Sequence, residues 1–162
     1  MVNSGNSQPA SAECRLQELG IQLPATPTPL GAYVEAVKTG NLLFLSGMLP
    51  VVDHKPAFLG RLGKELDVDS GRQAVRVAAL NVLAAAREHL GSLDKVTRVV
   101  RLVAYLATSG DFFDQPKVAD AASELLRDVF GADKMSVRMV LGVASLPLGM
   151  PVAIEVIFEV EK

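Results

Sequence analysis

Residues 136–161 read SVRMVLGVASLPLGMPVAIEVIFEVE. Two strands are written here, joined by a tight connection, Leu146-Pro147-Leu148-Gly149-Met150-Pro151. In the second, Val152, Ile154, Val156, Phe158 and Val160 alternate with Ala153, Glu155, Ile157, Glu159 and Glu161, the period of a strand buried on one face. The first carries Arg138 among Val137, Met139, Val140 and Leu141. A guanidinium there must be paired or reach water. Two readings stand: a structural arginine, paired with Glu155 or placed at a strand edge, or an anchor for a ligand carboxylate, which guanidinium binds through two parallel hydrogen bonds.

Working outward, Asp69–Leu90 predicts a helix, capped by Asp69 or Ser70 and ended by Gly91, with a stripe at Val75, Ala78, Ala79, Val82, Leu83, Ala86 and Leu90. Val96–Ala107 is a β-branched run and a central strand, with Arg98 and Arg101 on opposite faces. After a loop over 108–115, Pro116 opens a helix with its stripe at Val118, Ala122, Leu125, Leu126 and Val129, closed by Gly131. Upstream, strands at Ala32–Val37 and Leu42–Ser46 flank a Gly40-Asn41 hairpin turn. Gly47 follows, either a bulge or a place where backbone meets a ligand. Residues 51–66 form a loop with a short strand near Leu62 and a solvated His54. Ser11 caps a short helix to Leu19, PATPTP is an extended connector, and residues 1–10 form a disordered tail to a single domain over 11–162.

The order β-β-(β)-α-β-α-β-β gives an α+β fold: one mixed sheet with two helices on one face. Ile157 and the doubly apolar strands leave the other face partly apolar, which calls for a symmetric oligomer.

Composition narrows the function. The chain has 162 residues, 49% hydrophobic and 21% charged, with a net charge of −2. Scattered basic residues and no tryptophan argue against a nucleic-acid surface. No apolar run reaches membrane-span length, and the N-terminus lacks signal-peptide character, so a cytoplasmic protein without membrane contact is expected. Cys14 is the one cysteine, and His54 and His89 share no element, so neither metal nor cofactor is expected. The Walker, GxGxxG, GxSxG and HExxH motifs are missing.

Several segments together resemble the RidA (YjgF) family: Gly31-Ala32-Tyr33-Val34, Thr39 through Ser46-Gly47, Pro50, Arg138, and Leu146-Pro147 leading into the last strand. The resemblance runs from about residue 28 to the C-terminus, and the DFFDQPKVADAASELL and SLPLGMPV segments resemble a longer subgroup labelled endoribonuclease-like or translation-inhibitor-like. It implies a chorismate-mutase-like fold and a homotrimer with sites in the clefts between subunits. It further implies hydrolytic deamination of 2-imino acids or their enamine tautomers: Arg138 binds the substrate carboxylate, Ser46 and Gly47 assist through backbone groups, Tyr33 lines the pocket, and a glutamate positions water.

Departures from the family pattern bear on that last role. Ala153 stands where the water-positioning glutamate is usual, and Glu155 lies on the same face roughly 6–7 Å along the strand. Met48, Val140 and Asp120 replace a common glutamine, a cysteine and an asparagine. The expected site is therefore Arg138 and Glu155 as catalytic groups, with Tyr33, Ser46, Gly47, Met48, Asp120, Val140 and Ala153 around a small carboxylate-bearing metabolite. The alternative is a non-deaminating member that binds such a ligand in the same, more apolar cleft. Ribonuclease activity, the third possibility, has no support from charge or histidine placement.

Overall fold

The structure, a computed structural model, describes residues 10–162. The disordered tail expected over 1–10 falls almost wholly outside the described residues. Ten helices and strands follow in order: α1 (Ala12–Glu18), β1 (Ala36–Thr39), β2 (Leu42–Leu45), β3 (Val51–Val52), β4 (Lys55–Pro56), α2 (Val68–Leu90), β5 (Val96–Ala107), α3 (Gln115–Phe130), β6 (Val137–Val143) and β7 (Val152–Val160). The main sheet runs β1-β2-β7-β5-β6 and is antiparallel except for the β5–β6 pair.

β7 alternates as its sequence dictates. Val152, Ile154, Val156, Phe158 and Val160 are buried, and the residues between them are half-buried. The buried set meets Leu106, Ala104, Leu102, Val99 and Val96 of β5 and packs under α2, with α3 beside it over β5 and β6. Phe158 meets Phe130 of α3 edge to face, centroids 5.5 Å apart. α1 adds a third helix, laid against α3. The helices cover one sheet face only, giving the α+β, chorismate-mutase-like architecture.

The sheet register defines the other face. Val37, Phe44, Ile157, Arg101 and Val137 form one rung across all five strands, and Met139 and Leu141 follow on β6. Phe44 is 39% exposed and Val137 71%, so this face is apolar and open in the single chain.

Several local expectations are corrected. The first hairpin strand is Ala36–Thr39 rather than Ala32–Val37, because residues 31–33 bend and Tyr33 Oη accepts the Leu30 N–H at 3.0 Å. The cap of α2 is Asp67, whose carboxylate accepts from Ser70 N at 2.8 Å, two residues before Asp69 and three before Ser70, the expected caps. Arg98 and Arg101 share a face: β5 shifts register between Val96 and Arg98 and again between Val99 and Arg101, and the two arginines stand opposite Glu159 and Ile157 of β7. The loop over 51–66 contains the β3–β4 hairpin, whose turn residues Asp53 and His54 both have positive φ. Leu62 makes isolated bridges to Leu66 and Thr108 and forms no strand.

Two polar devices hold this frame. Asn81 of α2 is 1% exposed, and its amide donates to Leu49 O and Val51 O, both at 3.0 Å. Glu13 of α1 accepts from Arg87 Nε at 3.1 Å, from Arg87 Nη2 and from Leu93 N at 2.9 Å. Hydrogen bonding from Arg87 is the main cause that holds the Glu13 carboxyl below its ordinary value of 4.5.

Asn81→Leu takes the amide donor from Val51 O, while Leu49 O keeps the Val51 N–H at 2.9 Å, and should cost about 1–3 kcal/mol in urea unfolding. Glu13 contributes stability above its ordinary value, and that contribution is lost as pH falls through the lowered folded value. Glu13→Gln should therefore cost roughly 0.5–1 kcal/mol at pH 7, and the cost should shrink as the pH is taken below the ordinary value of 4.5, the difference read from paired denaturation curves.

Candidate functional site

Strand β2 ends in a bulge. Phe44 lies opposite Ile157, and Met48 bridges Ile154 through Met48 N to Ile154 O at 2.7 Å and Ile154 N to Met48 O at 2.9 Å. Four steps on the β2 side match three on β7, so Ser46 and Gly47 together face Glu155. On the other side, Ser46 N donates to Glu35 O at 2.8 Å and Ser46 Oγ to Val34 O at 2.6 Å. The bulge leaves the Gly47 N–H without a protein acceptor among the described residues, and nothing lies within 4 Å of where a Gly47 Cβ would be. Gly47 is both the bulge and a free donor beside open space.

A cavity opens at this strand end, lined by Pro27, Pro29, Leu30, Tyr33, Glu35, Ser46, Gly47, Met48, Leu49, Val51, Thr28 and His54. The Asn81 amide fixes the Leu49–Val51 wall. Met48 is buried, and most of the walls are apolar. Ala153 and Glu155 project from the open sheet face next to the bulge and do not line the cavity.

Arg138, Asp120 and Val140 lie elsewhere. Leu102 of β5 pairs with Arg138 and Ala104 with Val140, so both side chains point to the helix face of the edge strand β6. Arg138 Nη1 donates to Asp120 Oδ1 of α3 at 2.7 Å and to Ser123 Oγ at 3.2 Å. The Arg138–Glu155 pair is not formed, since Glu155 lies on the opposite face. The Arg138 side chain is 27% exposed, and its Nε and Nη2 have no acceptor among the described residues. Two strands separate β2 from β6, so Arg138 is about 14 Å or more from the Ser46–Gly47 bulge.

One chain thus holds the expected site residues in two separate groups. The first gathers Tyr33, Ser46, Gly47 and Met48 at the bulge, with Ala153 and Glu155 on the neighbouring strand. The second holds Arg138, Val140 and Asp120 at the far edge.

Sequence reasoning missed two cavity residues. Glu35 is half-buried, and burial, then the Glu88 charge, push its carboxyl above 4.5. His54, expected in solvent, is exposed but borders the cavity, its Nδ1 at 3.4 Å from Thr28 Oγ1. The sign for Glu35 was available: a carboxylate opposite Ser46 once the hairpin register was extended. Nothing in the sequence placed His54, because the β3–β4 turn that carries it has no Asn-Gly signature. Among the described residues, no cluster of three or more His, Cys, Asp or Glu could hold a metal, and no helix is long and apolar enough to cross a membrane.

A five-stranded mixed sheet, helices on one face and a bulged second strand facing a cavity define the chorismate-mutase-like α+β class. A sequence model of the YjgF/chorismate mutase-like family matches residues 13–160, and the chain belongs to that family. It is 40% identical over 148 residues to Protein TCP17 of Trypanosoma cruzi, covering 91% of this chain and 92% of that protein. It is 28% identical over 141 residues to a 2-iminobutanoate/2-iminopropanoate deaminase of Dermatophagoides farinae, covering 87% and 95%. Its fold matches the crystal structure of Atu1372, a protein of unknown function from Agrobacterium tumefaciens, with TM-score 0.85 and 37% identity over 93% and 92% of the two chains.

The Arg138–Asp120 pair is partly exposed on both sides. Asp120→Asn should therefore change the unfolding free energy by less than about 1 kcal/mol. A loss of several kcal/mol would mark the pair as a structural fastening.

Proposed function

We propose that the chain hydrolyses small 2-imino acids, or their enamine tautomers, to 2-oxo acids and ammonia in a cleft between copies of itself. The observation that carries this reading is the division of the site residues. Arg138 keeps two unoccupied donor groups at one sheet edge, and the bulge keeps the free Gly47 N–H beside Glu155 near the other. A single chain cannot bring them together; a second copy facing the first can.

In this reading Arg138 of one copy binds the substrate carboxylate through Nε and Nη2, while Asp120 and Ser123 hold Nη1 and fix the plane of the fork. The Gly47 N–H and Tyr33 of the other copy orient the reacting end, and Glu155 holds the attacking water. An imine carbon is already electrophilic, so orientation, a placed water and proton transfer are enough chemistry. The open apolar face that includes Phe44, Ile157 and Val137 supports self-association, and the homotrimer belongs to the same proposal. So does a cytoplasmic setting, consistent with a lone exposed thiol at Cys14. Similarity to the mite deaminase supports the reaction class.

The second reading, a non-deaminating binder of a small carboxylate, rests on Ala153 and on the apolar wall formed by Met48, Leu49 and Val51.

The test is imine hydrolysis, with 2-imino acids generated in place by an amino acid oxidase. Wild type should accelerate loss of the imine and elute as about three chains. Arg138→Ala should lose about 100-fold in kcat/KM. Co-refolded Arg138→Ala and Glu155→Gln should regain part of the activity, because some clefts then carry two wild-type halves. A monomer at micromolar concentration, or no regain on mixing, would exclude the shared cleft. No acceleration with aliphatic, aromatic or acidic imines would favour the binder.

A further inference from the structure

The open sheet face is apolar, yet two unpaired charges stand in the middle of it. Arg101 lies in the rung Val37, Phe44, Ile157, Arg101, Val137, with Ile157 on one side and Val137 on the other. The next rung holds Glu155, between Val103 of β5 and the Ser46–Gly47 bulge. Arg101 is exposed and Glu155 half-buried. Neither side chain has a hydrogen-bond or ion-pair partner among the described residues.

The other charges of this face differ. Glu159 is spent within the chain: it accepts from Asn41 Nδ2 at 3.2 Å and from Thr97 Oγ1 at 3.0 Å. Arg98 stands opposite Glu159 near the start of β5, and Glu161 lies past the end of β7; both are exposed. Arg101 and Glu155 are the pair enclosed by apolar neighbours. Within one chain they are diagonal neighbours, about 7–8 Å apart at the side-chain bases. That is inside the reach of a guanidinium, and the chain leaves the pair open.

An apolar face of this kind is covered by association, and covering it encloses both charges. An ion taken out of water without a partner costs several kcal/mol. The face answers that demand itself. It carries one positive and one negative group on neighbouring strands, one rung apart, so a second copy laid against it offers a carboxylate to the guanidinium and a guanidinium to the carboxylate. We propose that Arg101 of one copy forms an ion pair with Glu155 of the next, and that this pair sets the register in which the open sheet faces dock. The proposal rests on the shared-cleft reading and names the contact that aligns the copies. One oxygen of Glu155 is enough for it, which leaves the other for the water of the proposed reaction.

The experiment follows assembly by sedimentation velocity over a concentration series, with circular dichroism confirming the fold, and needs no activity. The chains are wild type, Arg101→Glu, Glu155→Arg, the double reversal, and the milder Arg101→Gln. Wild type should assemble, and more weakly as sodium chloride rises from about 50 to about 500 mM. Each single reversal should raise the dissociation constant by about 30-fold or more, and the double reversal should recover most of that loss. Arg101→Gln should fall between, with less dependence on salt. Arg101→Glu and Glu155→Arg chains, mixed, should co-assemble at concentrations where neither assembles alone. An assembled wild type whose single reversals assemble equally well overturns the pair and leaves the shared cleft standing. Rescue by the double reversal without co-assembly of the mixture puts the pair inside one chain and also overturns the proposal. A wild type that stays monomeric overturns both. Charge-dependent assembly in a protein that hydrolyses no imine supports the pair and removes only the reaction.

Discussion

The Asn81 side chain is the buried polar group on which the geometry of the site depends. It lies in the middle of α2, surrounded by alanines and valines, and its amide reaches two carbonyls three residues or less beyond Met48. Burying an amide costs several kcal/mol without partners and little with them. The interaction therefore adds modest stability and a large penalty for any other arrangement of Leu49–Val51. That segment forms the cavity wall immediately after the bulge. A helix that would otherwise pack as an interchangeable apolar surface is thereby tied to one position along the chain, and the bulge is held between that tie and β7.

The bulge sets the hydrogen bonding at this strand end. Without the extra residue, β2 would continue in even register with β7 and every backbone donor there would be spent on the ladder. With it, the Gly47 N–H is released beside open space at the cavity. At the other sheet edge, β6 offers a guanidinium whose orientation is fixed by Asp120 and Ser123 through Nη1 while Nε and Nη2 remain free among the described residues. Each of these two groups of residues is ordered by contacts within the chain, and the width of three strand spacings keeps them apart. Under the proposed shared cleft, reactivity would depend on assembly, and an isolated subunit would fold without a complete site.

Much of this was legible in the sequence because it rests on period and on turn chemistry. The alternation of 152–160, the stripe of α2, Pro116 opening α3, Ser11 capping α1 and the Gly40-Asn41 turn each have a local cause. What was hidden depends on register. Arg98 and Arg101 were assigned to opposite faces by simple alternation, and two irregularities in β5 put them on one. Arg138 was read as a structural arginine, paired with Glu155 or at a strand edge, or as a carboxylate anchor; the partner it finds within the chain, Asp120, comes from a helix that only tertiary packing brings near. Glu35 drew no attention, since its meaning comes from Ser46 across the hairpin. Asp67 displaced Asp69 and Ser70 as cap because three candidate oxygens stand within four residues, and their packing decides which one serves. The residues Tyr33, Ser46, Gly47 and Met48 did converge, which local motifs alone would not have guaranteed.

The place of β7 in the sheet has a consequence for how the molecule comes to exist. This strand sits between β2 and β5, and it is made after both. Until it arrives, the β1–β2 hairpin has no ladder to the rest of the sheet, and β5 has only its parallel neighbour β6. The chain must keep Leu43, Leu45, Leu102 and Ala104 from unproductive association through nearly all of its synthesis. Insertion of one late strand then closes the sheet, buries Phe158 and creates the bulge in a single event. Closure of the sheet and formation of the bulged cavity wall therefore both wait on β7.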